Sequence, residues 1–537
     1  MSRRVAGVLL ALSVALAFAG TAGATVLRVG FYHGIRGQFA SIQAAVNAAK
    51  PGDWILVGPG DYKTSSSRAP KGRSSVPAGV LITTRDVYLR GMNRNTVIVD
   101  GTKPGSARCS NKASAQNFGP KTSKGALGLN GIMVWKAANV WVQNLTACNF
   151  LGGSAGDGAT GNEIWWNGGD GSGKVGGHGY YGSYLTATST FFDRAQKPAK
   201  AEVTAAEYGI FSSNWSGGTW DQSYASNFND SGYYIGACQQ VCDQTVNHAW
   251  AEYNALGYSG SNSGGKLVVE NSRFDNNEDG FDTNSQNGDE PSPQNGDCPG
   301  NGTSPITHTH SCWVFMHNFV HDNNNPDVPA AGIAAAGPVG TGMSVSGGRN
   351  DTIMDNRFVN NDAWGVIFVA FPDQGPPCTG GTLNFPLLGP GGCLYDGWGD
   401  ALVDNLFSHN GSFGNPTNGD FGQLNLEAGH ATDCYSGNTD QGGGAPTSSP
   451  ANLQQTNPKC DGSVAPANAN PSFLAEVYCD SQLDLSLCKP TDHYPRVTKI
   501  VMHPLPKGLP TMPNPCAGVP ANPWCLTASK RSRASKL

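Results

Sequence analysis

Short apolar stretches, separated by polar turns rich in glycine and asparagine, run through most of the chain. A glycine followed by apolar or aromatic residues recurs at Gly209, Gly232, Gly257 and Gly280, a spacing of 23 to 25 residues. Gly365 begins another copy further on. A period in the low twenties accommodates one coil of a β-solenoid, with short strands and corners. The pattern therefore predicts an all-β fold built from stacked coils.

A second repeated feature is an asparagine placed just before an apolar position and an asparagine-rich turn. It occurs at Asn318, Asn356 and Asn405, and Asn271 begins a copy that is one residue longer. Asparagines stacked at one corner can hydrogen-bond along the stack and satisfy the turn backbone. We therefore expect these residues to lie at the same corner of successive coils.

The segment from residue 39 to 62 suggests how the stack begins. Ser41 can cap a short helix that buries Ile42 and Val46, and an apolar strand from Trp54 to Val57 follows a Pro-Gly stop. This order resembles the opening of right-handed parallel β-helix proteins of the pectate-lyase-like superfamily, in which the helix covers the open end of the stack. The resemblance implies a right-handed parallel β-helix, which we assign to residues 25–430. Residues 431–537 are predicted to form a disulfide-rich, mostly irregular C-terminal extension.

Residues 1–24 are predicted to be a signal peptide, because Arg3 and Arg4 precede an apolar run and Ala22-Gly23-Ala24 suits cleavage after Ala24. The chain has 14 cysteines, an even number that favours disulfides in an exported protein. The spacings predict three local bridges, which are Cys238–Cys242, Cys298–Cys312 and Cys378–Cys393.

The net charge is only -5, with 14% charged residues, and no basic stripe lies in the body of the chain. This distribution disfavours nucleic acid as a partner. No second long apolar run follows the first, so we expect a secreted monomer without a transmembrane segment in the mature chain.

The turn before Gly280 is the most chemically distinctive one. It is two residues longer than the turns before Gly232 and Gly257, and it contains Glu278 and Asp279. If Phe281 points into the core, Asp282 points outward, because side chains alternate along a strand. Asp282 then lies in one column with Phe211, Tyr234 and Ser259. Oxygen ligands of this kind suit Ca²⁺, although solvated acids at an asparagine-rich corner are the alternative.

The same turn resembles the Asn-x-Asp-Asp-Gly-apolar-Asp element of the family-nine pectate lyases, which bind calcium and cleave polygalacturonate by β-elimination. The resemblance implies calcium as a cofactor, with Glu278, Asp279 and Asp282 as ligands. The chain departs from that family in two ways. It has Ser259 where the family has an aspartate one coil earlier, and no lysine lies between Lys266 and Lys459 to act as the base.

Other residues are therefore candidates for the base. The residues before the asparagine markers are expected to form an exposed column, in which acids would raise the pKa of His317; its members are Glu270, His317, Asp355 and Asp404. Arg349 is a second candidate, since arginine serves as the base in several β-helix lyases. Among the many aromatic residues between 165 and 258, we expect Trp166, Trp220 and Tyr234 to be exposed platforms for sugar rings, with inward stacking as the alternative.

Together these features favour a secreted protein that binds and processes an extracellular polysaccharide, with an acidic polymer as the expected partner. Calcium-assisted elimination or epimerisation is the predicted chemistry. The alternative is a non-catalytic surface, adhesive or glycan-binding protein that uses the solenoid as a rigid scaffold.

Overall fold

The computed structural model describes residues 24–525, apart from 65–66, 157, 170–173, 194–203, 239–240, 287–294, 331–335, 375–376, 387 and 465–466. The predicted signal peptide, except for Ala24, lies outside the described residues. Three long sheets, each with strands paired in parallel, form the body of the protein. Successive strands of the chain pass from sheet 1 to sheet 2 to sheet 3 and then back to sheet 1. The fold is thus the all-β, right-handed parallel β-helix that the repeat and the resemblance predicted.

The strands of each sheet, in chain order, are as follows. Sheet 1 contains Ala78–Ile82, Asn130–Trp135, Ile164–Asn167, Tyr208–Ser213, Ser231–Gly236, Leu256–Ser261, Asp279–Asn284, Thr341–Ser346, Trp364–Val369, Gly419–Gln423 and Ser448–Ser449. Sheet 2 contains Val26–Val29, Trp54–Val57, Tyr88–Gly91, Val140–Gln143, Tyr180–Ser183, Gly218–Asp221, Gln244–Asn247, Leu267–Glu270, Trp313–Met316, Thr352–Met354, Ala401–Val403 and Cys434–Ser436. Sheet 3 contains Gly60–Lys63, Val97–Asp100, Thr146–Cys148, Thr186–Thr188, Tyr224–Ser226, Trp250–Glu252, Arg273–Asp275, Phe319–His321, Arg357–Val359, Leu406–Ser408 and Thr439–Asp440.

Smaller elements lie in the connecting segments and at the two ends. The short strands are Phe31–Tyr32, Ile35–Arg36, Lys121–Thr122, Gly125–Ala126, Gly177–His178, Trp215–Ser216, Phe371–Gln374, Thr382–Leu383 and Gly392–Tyr395. The α-helices are α1 (Ile42–Ala48), α2 (Leu453–Thr456) and α3 (Pro471–Asp480), and the 3-10 turns are Ala113–Ala115, Pro299–Asn301 and Leu485–Leu487. The Ser41 hydroxyl accepts a hydrogen bond from the backbone N–H of Ala44, so Ser41 caps α1 as predicted.

Side-chain ladders fix the corners of the coils. At the corner between sheets 2 and 3, the Nδ2 of Asn356 donates to Oδ1 of Asn405 at 3.0 Å, and the same pattern links Asn318 to Asn356. The backbone N–H of Ser272 donates to Asn318 Oδ1, so Ser272 rather than Asn271 has the ladder position in its coil. A second ladder follows the corner between sheets 3 and 1, through Asn254, Asn277, Asn323, Asn361 and Asn410.

The interior is a continuous column of apolar and aromatic side chains. Phe281 is fully buried and stacks on Tyr258, with ring centroids 4.1 Å apart, so it points inward as predicted. This orientation settles the direction of every other side chain on its strand, because neighbours alternate between the two faces.

The coils continue beyond residue 430, the boundary predicted from the sequence. Cys434–Ser436, Thr439–Asp440 and Ser448–Ser449 each add a parallel strand to one of the three sheets. The repeat is harder to recognise there because each strand has only two or three residues. Leu453 of α2 joins the main core, and α3 packs its Phe473 against Trp364 on the outside of sheet 1.

Residues 489–525, which we name the strap, run back along the outside of the solenoid to its N-terminal end. The contacts along this path pair Thr498 with Asp327, His503 with Tyr253, Leu509 with Asn95, Thr511 with Asn144, and Trp524 with Ile35. The extension therefore both covers part of sheet 1 and lies along the side of the stack.

Seven disulfides join all the cysteines in the described residues. The three predicted local bridges are confirmed, and the others are Cys109–Cys148, Cys434–Cys460, Cys479–Cys488 and Cys516–Cys525. Such a set fits an oxidising, extracellular compartment. Within the described part of the chain, no helix combines the length and apolar character needed to cross a bilayer.

Candidate functional site

Asp282 lies on the outer face of sheet 1, in the column predicted from the sequence. The strand register pairs Phe211 with Tyr234, Tyr234 with Ser259, Ser259 with Asp282, and Asp282 with Ser344. Asp282 is only half-buried, whereas Ser259 and Ser344 are buried. Asp282 is therefore less buried than Asp275, Glu278 and Asp279.

Asp279 and Asp282 meet around one serine hydroxyl. The Oγ of Ser344 lies 2.9 Å from Asp279 Oδ2 and 2.7 Å from Asp282 Oδ1. Burial raises the pKa of Asp279 well above its usual value, and the Asp282 charge adds to the effect. Burial also raises the pKa of Asp282, against hydrogen bonds from Asn284, Ser344 and Ser346. A serine has one O–H to donate, so Ser344 can donate to only one of the two acids at a time, and a shared proton or a cation would relieve their repulsion.

Glu278 does not join this pair. Its Oε2 accepts no hydrogen bond from the residues that the structure describes. Burial raises its pKa well above the usual value, and the next largest cause is the charge of Asp480 at the end of α3. Glu278, Asp279 and Asp282 do not bring one oxygen each within 4.8 Å of one another, the separation that marks a compact ligand set. The three acids predicted as calcium ligands are thus not gathered at one point, and only Asp279 and Asp282 share a hydrogen-bond partner.

The fourth acid of the stretch, Asp275, faces a different side of the molecule. It lies on sheet 3, where Arg273 donates to its two oxygens at 2.6 and 2.9 Å and Trp250 Nε1 donates to Oδ1 at 2.9 Å. Asp275 is fully buried, and these contacts give it a structural role on sheet 3.

His317 lies at the corner between sheets 2 and 3, where its Nε2 is 4.0 Å from Asp355 Oδ2. The expected column is therefore present, but Glu270 belongs to a strand of sheet 2 and Asn271 has the corner position instead. The apolar interior, with Phe281 packed on Phe315, lies between this corner and the outer face of sheet 1. The structure does not bring His317 to Asp282.

Arg349 is also separate from the acidic pair, and its contacts indicate a structural role. Its guanidinium lies 3.5 Å above the ring of Trp398 and donates to the carbonyl oxygens of Asp396 and Gly380. Burial lowers the pKa of Arg349 to about 10. These contacts fasten Gly380, inside the loop closed by the Cys378–Cys393 disulfide, and the residues just after that loop.

The prediction that Trp166 and Trp220 are exposed platforms is wrong. Both indoles are fully buried in the main core, where Trp166 stacks on Tyr180 with centroids 4.7 Å apart. In the pair Trp165-Trp166, strand alternation turns Trp165 outward and Trp166 inward. Tyr234 does point outward, but Phe211 stacks on it at 4.8 Å and leaves only 7% of it exposed.

Sequence reasoning missed two groups that shape the site. Ser344 aligns with Asp282 across an intervening segment of irregular length, so no local pattern marks it. Asp480 and Arg496 belong to the extension, where Arg496 Nη1 lies 3.8 Å from Asp480 Oδ1. The apolar positions of α3 could have predicted that the extension packs against a sheet. They could not have predicted that it packs over Glu278.

Proteins similar to this chain are found among solved structures only. No protein-family model matches the chain, and no curated protein sequence matches it. Among solved structures, the mannuronan C-5 epimerase AlgE6 A-module of Azotobacter vinelandii is similar with a TM-score of 0.43 and 13% identity, over 74% of this chain and 88% of that chain. The AlgE4 A-module of the same organism gives 0.39 and 12%, over 75% and 91%. The pectate lyase Pel9A gives 0.33 and 14%, over 78% and 75%. These likenesses concern the β-helix architecture alone.

Proposed function

We propose that this protein is secreted, binds an acidic extracellular polysaccharide along the outer face of sheet 1, and processes it at Asp282. The observation that carries the proposal is the half-buried Asp282 joined to buried Asp279 through Ser344. A rigid stack of strands presents this pair at a fixed position, as the positioning of reacting groups requires. The names of the β-helix epimerase and lyase structures mention polymers of the same chemical class, which makes acidic sugars the first substrates to test.

Calcium fits the pair in part. Asp279, Asp282 and Ser344 offer oxygen ligands, and Ca²⁺ takes six to eight such ligands, so water or the sugar carboxylate would complete the shell. A calcium ion held there would neutralise the sugar carboxylate and make the neighbouring C–H more acidic. Asp279 and Asp282 would hold the ion, and the Ser344 hydroxyl would orient both carboxylates.

Elimination and epimerisation both need a base, and neither His317 nor Arg349 lies beside Asp282. This observation favours the second candidate function, a non-catalytic glycan-binding protein that uses the same outer face. In the enzyme, a proton must move at the sugar ring, and Asp282 could exchange it only through a carboxylate oxygen that does not hold calcium. In the binder, Asp282 serves only as a ligand to calcium or to sugar hydroxyls.

An activity screen separates the two functions. The purified protein is mixed with polygalacturonate, polymannuronate and polyguluronate, each with calcium and with a chelator. Ultraviolet absorbance detects unsaturated products, and proton NMR detects epimerised residues. Calcium-dependent turnover of one polymer supports the enzyme. Binding without turnover on every polymer supports the glycan-binding protein, and the absence of both contradicts the proposal.

A further inference from the structure

A cavity of about 400 Å³ opens on the outer face of sheet 3, away from the Asp282 face. It spans three neighbouring coils near the C-terminal end of the solenoid. Its lining residues are Arg357, Val359, Asn360, Leu406, Ser408, His409 and Gln441. This volume lies within the range of small-molecule sites and is large enough for one or two sugar residues.

Arg357 gives the lining of the cavity a positive charge. Arg357 is exposed, and its guanidinium forms no hydrogen bond or ion pair with any residue that the structure describes. Its guanidinium carbon lies 4.7 Å from the ring centre of Phe319, which holds the side chain over the sheet. No aspartate or glutamate is among the lining residues. An arginine fixed in this way is prepared to bind a carboxylate through two parallel hydrogen bonds.

The acid at the corner of the preceding coil does not form an ion pair with the arginine. Asp322 lies at the corner of the preceding coil, where His321 Nδ1 is 2.5 Å from its Oδ2 and Asn360 Nδ2 donates to its Oδ1 at 3.0 Å. The Asp322 carboxylate thus has two hydrogen-bond partners of its own and forms no ion pair with Arg357, so the Arg357 guanidinium remains open to a ligand.

The rest of the lining matches a sugar rather than a simple inorganic anion. The Ser408 hydroxyl lies 2.7 Å from His409 Nδ1 and 2.6 Å from Gln441 Oε1, which places hydroxyl, imidazole and amide groups side by side. Val359 and Leu406 provide an apolar floor beside them. A sugar ring presents the complementary surfaces, hydroxyl groups at its edge and C–H groups on its face.

We propose that this cavity is a second binding site that takes a uronate, a sugar residue bearing a carboxylate, with Arg357 as the anion ligand. The identity of the polymer rests on the proposed function, but the cavity and its cation do not. A second site on another face would let one acidic polysaccharide bind at two places on the rigid solenoid, which raises the overall affinity by effective concentration.

Isothermal titration with galacturonate and glucuronate tests this site without the polymer. The wild-type protein is expected to bind a uronate and not galactose or glucose. Arg357→Ala should weaken uronate binding by at least about tenfold, since hydrogen bonds to charged groups contribute that much. Arg85→Ala, at another exposed arginine, is the matched control and should bind as the wild type does.

Asp282→Asn separates this inference from the proposed function, because it should leave uronate binding to the cavity unchanged. Equal uronate affinity in the wild type and Arg357→Ala would overturn the assignment of the site. Failure of the wild type to bind any uronate would overturn it too, even if polymer binding depends on Asp282. Equal affinity for phosphate and for the uronates would overturn the sugar assignment.

Discussion

At the scale of single residues, an aspartate ladder extends along the corner between sheets 1 and 2. The backbone N–H of Asp351 donates to Asp400 Oδ1, and that of Asp400 donates to Asp433 Oδ1, both at 2.9 Å. This is the pattern of the asparagine ladders at the other corners. In an asparagine the second position is an N–H donor, as in the 2.9 Å bond from Asn405 Nδ2 to the Ile353 carbonyl. Asp400 has Oδ2 at that position, and no described residue donates to it.

We predict that Asp400→Asn stabilises the protein at neutral pH. Burial raises the pKa of Asp400 well above its usual value, with Asp433 and Asp351 adding to the effect, and the pKa of Asp433 is raised to about 6. A raised pKa in the folded state gives stability that is complete below about pH 4 and is lost as the pH rises through the folded-state value. An asparagine at this position has an N–H donor at every pH, whereas the aspartate can donate only when it is protonated.

Chemical unfolding at pH 7 and pH 4 checks this prediction. The gain should be about 1 kcal/mol at pH 7 and should shrink at pH 4, where the wild type is protonated. The reverse change, Asn405→Asp at the equivalent ladder position, should destabilise the protein at pH 7. A gain for Asp400→Asn that is the same at both pH values would contradict a protonated ladder.

At the scale of elements, α3 places one buried acid beside another. Asp480 is fully buried at the end of α3, and no side chain among the described residues donates a hydrogen bond to its carboxylate oxygens. Arg496 balances only part of the charge, at 3.8 Å. Burial raises the pKa of Asp480 well above its usual value, and the Asp279 charge adds to it. We therefore expect the contact between α3 and sheet 1 to weaken as the pH rises and Asp480 loses its proton.

We predict that Glu278→Gln strengthens the docking of α3 at neutral pH. Because the pKa of Glu278 is raised in the folded state, its contribution to stability is complete below about pH 4. That contribution is lost as the pH rises through the folded-state pKa. Hydrogen exchange of the α3 amides should slow in the variant at pH 7. Glu476→Gln is the contrasting variant, because Glu476 Oε2 accepts bonds from the Thr417 N–H and hydroxyl at 2.9 and 2.5 Å. Glu476→Gln should speed exchange of the α3 amides. Faster exchange in both variants would contradict the idea that the Glu278 charge weakens the docking of α3.

Periodic features could be predicted from the sequence, whereas contacts between distant segments could not. The glycine spacing, the asparagine ladder and the inward Phe281 all repeat locally, so the outward column of Asp282 follows from them. The adjacent indoles of Trp165 and Trp166 alternate between the two faces, and their sequence alone does not say which is buried. Ser344 and Asp480 reach the acids through irregular connections, which have no period to read.

At the scale of the whole molecule, the strap connects the last coils to the first. Trp524 is 4% exposed, its Nε1 donates to the Ile35 carbonyl at 3.0 Å, and its ring packs with Trp54 and Leu56. In a solenoid each coil contacts mainly its neighbours, so the two ends can unfold independently of each other. A strap that contacts both ends should make them unfold together.

We predict that Trp524→Ala lowers the free energy of unfolding by about 3 kcal/mol, the usual cost of truncating a buried aromatic residue. The unfolding transition should also broaden as the N-terminal coils separate from the rest. Val501→Ala, at a strap residue that is 40% exposed, should change the stability by less than about 0.5 kcal/mol. Thermal unfolding followed by near-ultraviolet circular dichroism measures both, and equal effects would contradict a specific role for Trp524.

The proposed function depends on the binding of an acidic polysaccharide at Asp282, on the outer face of sheet 1. The most direct measurement is titration of the protein with the acidic polymer that performs best in the screen, in calcium, for Asp282→Asn against Asp404→Asn. Asp404 is an exposed acid at the corner between sheets 2 and 3, across the core from Asp282. The account predicts that Asp282→Asn weakens binding by at least about tenfold while Asp404→Asn binds like the wild type. Equal affinity of the two variants and the wild type would contradict it.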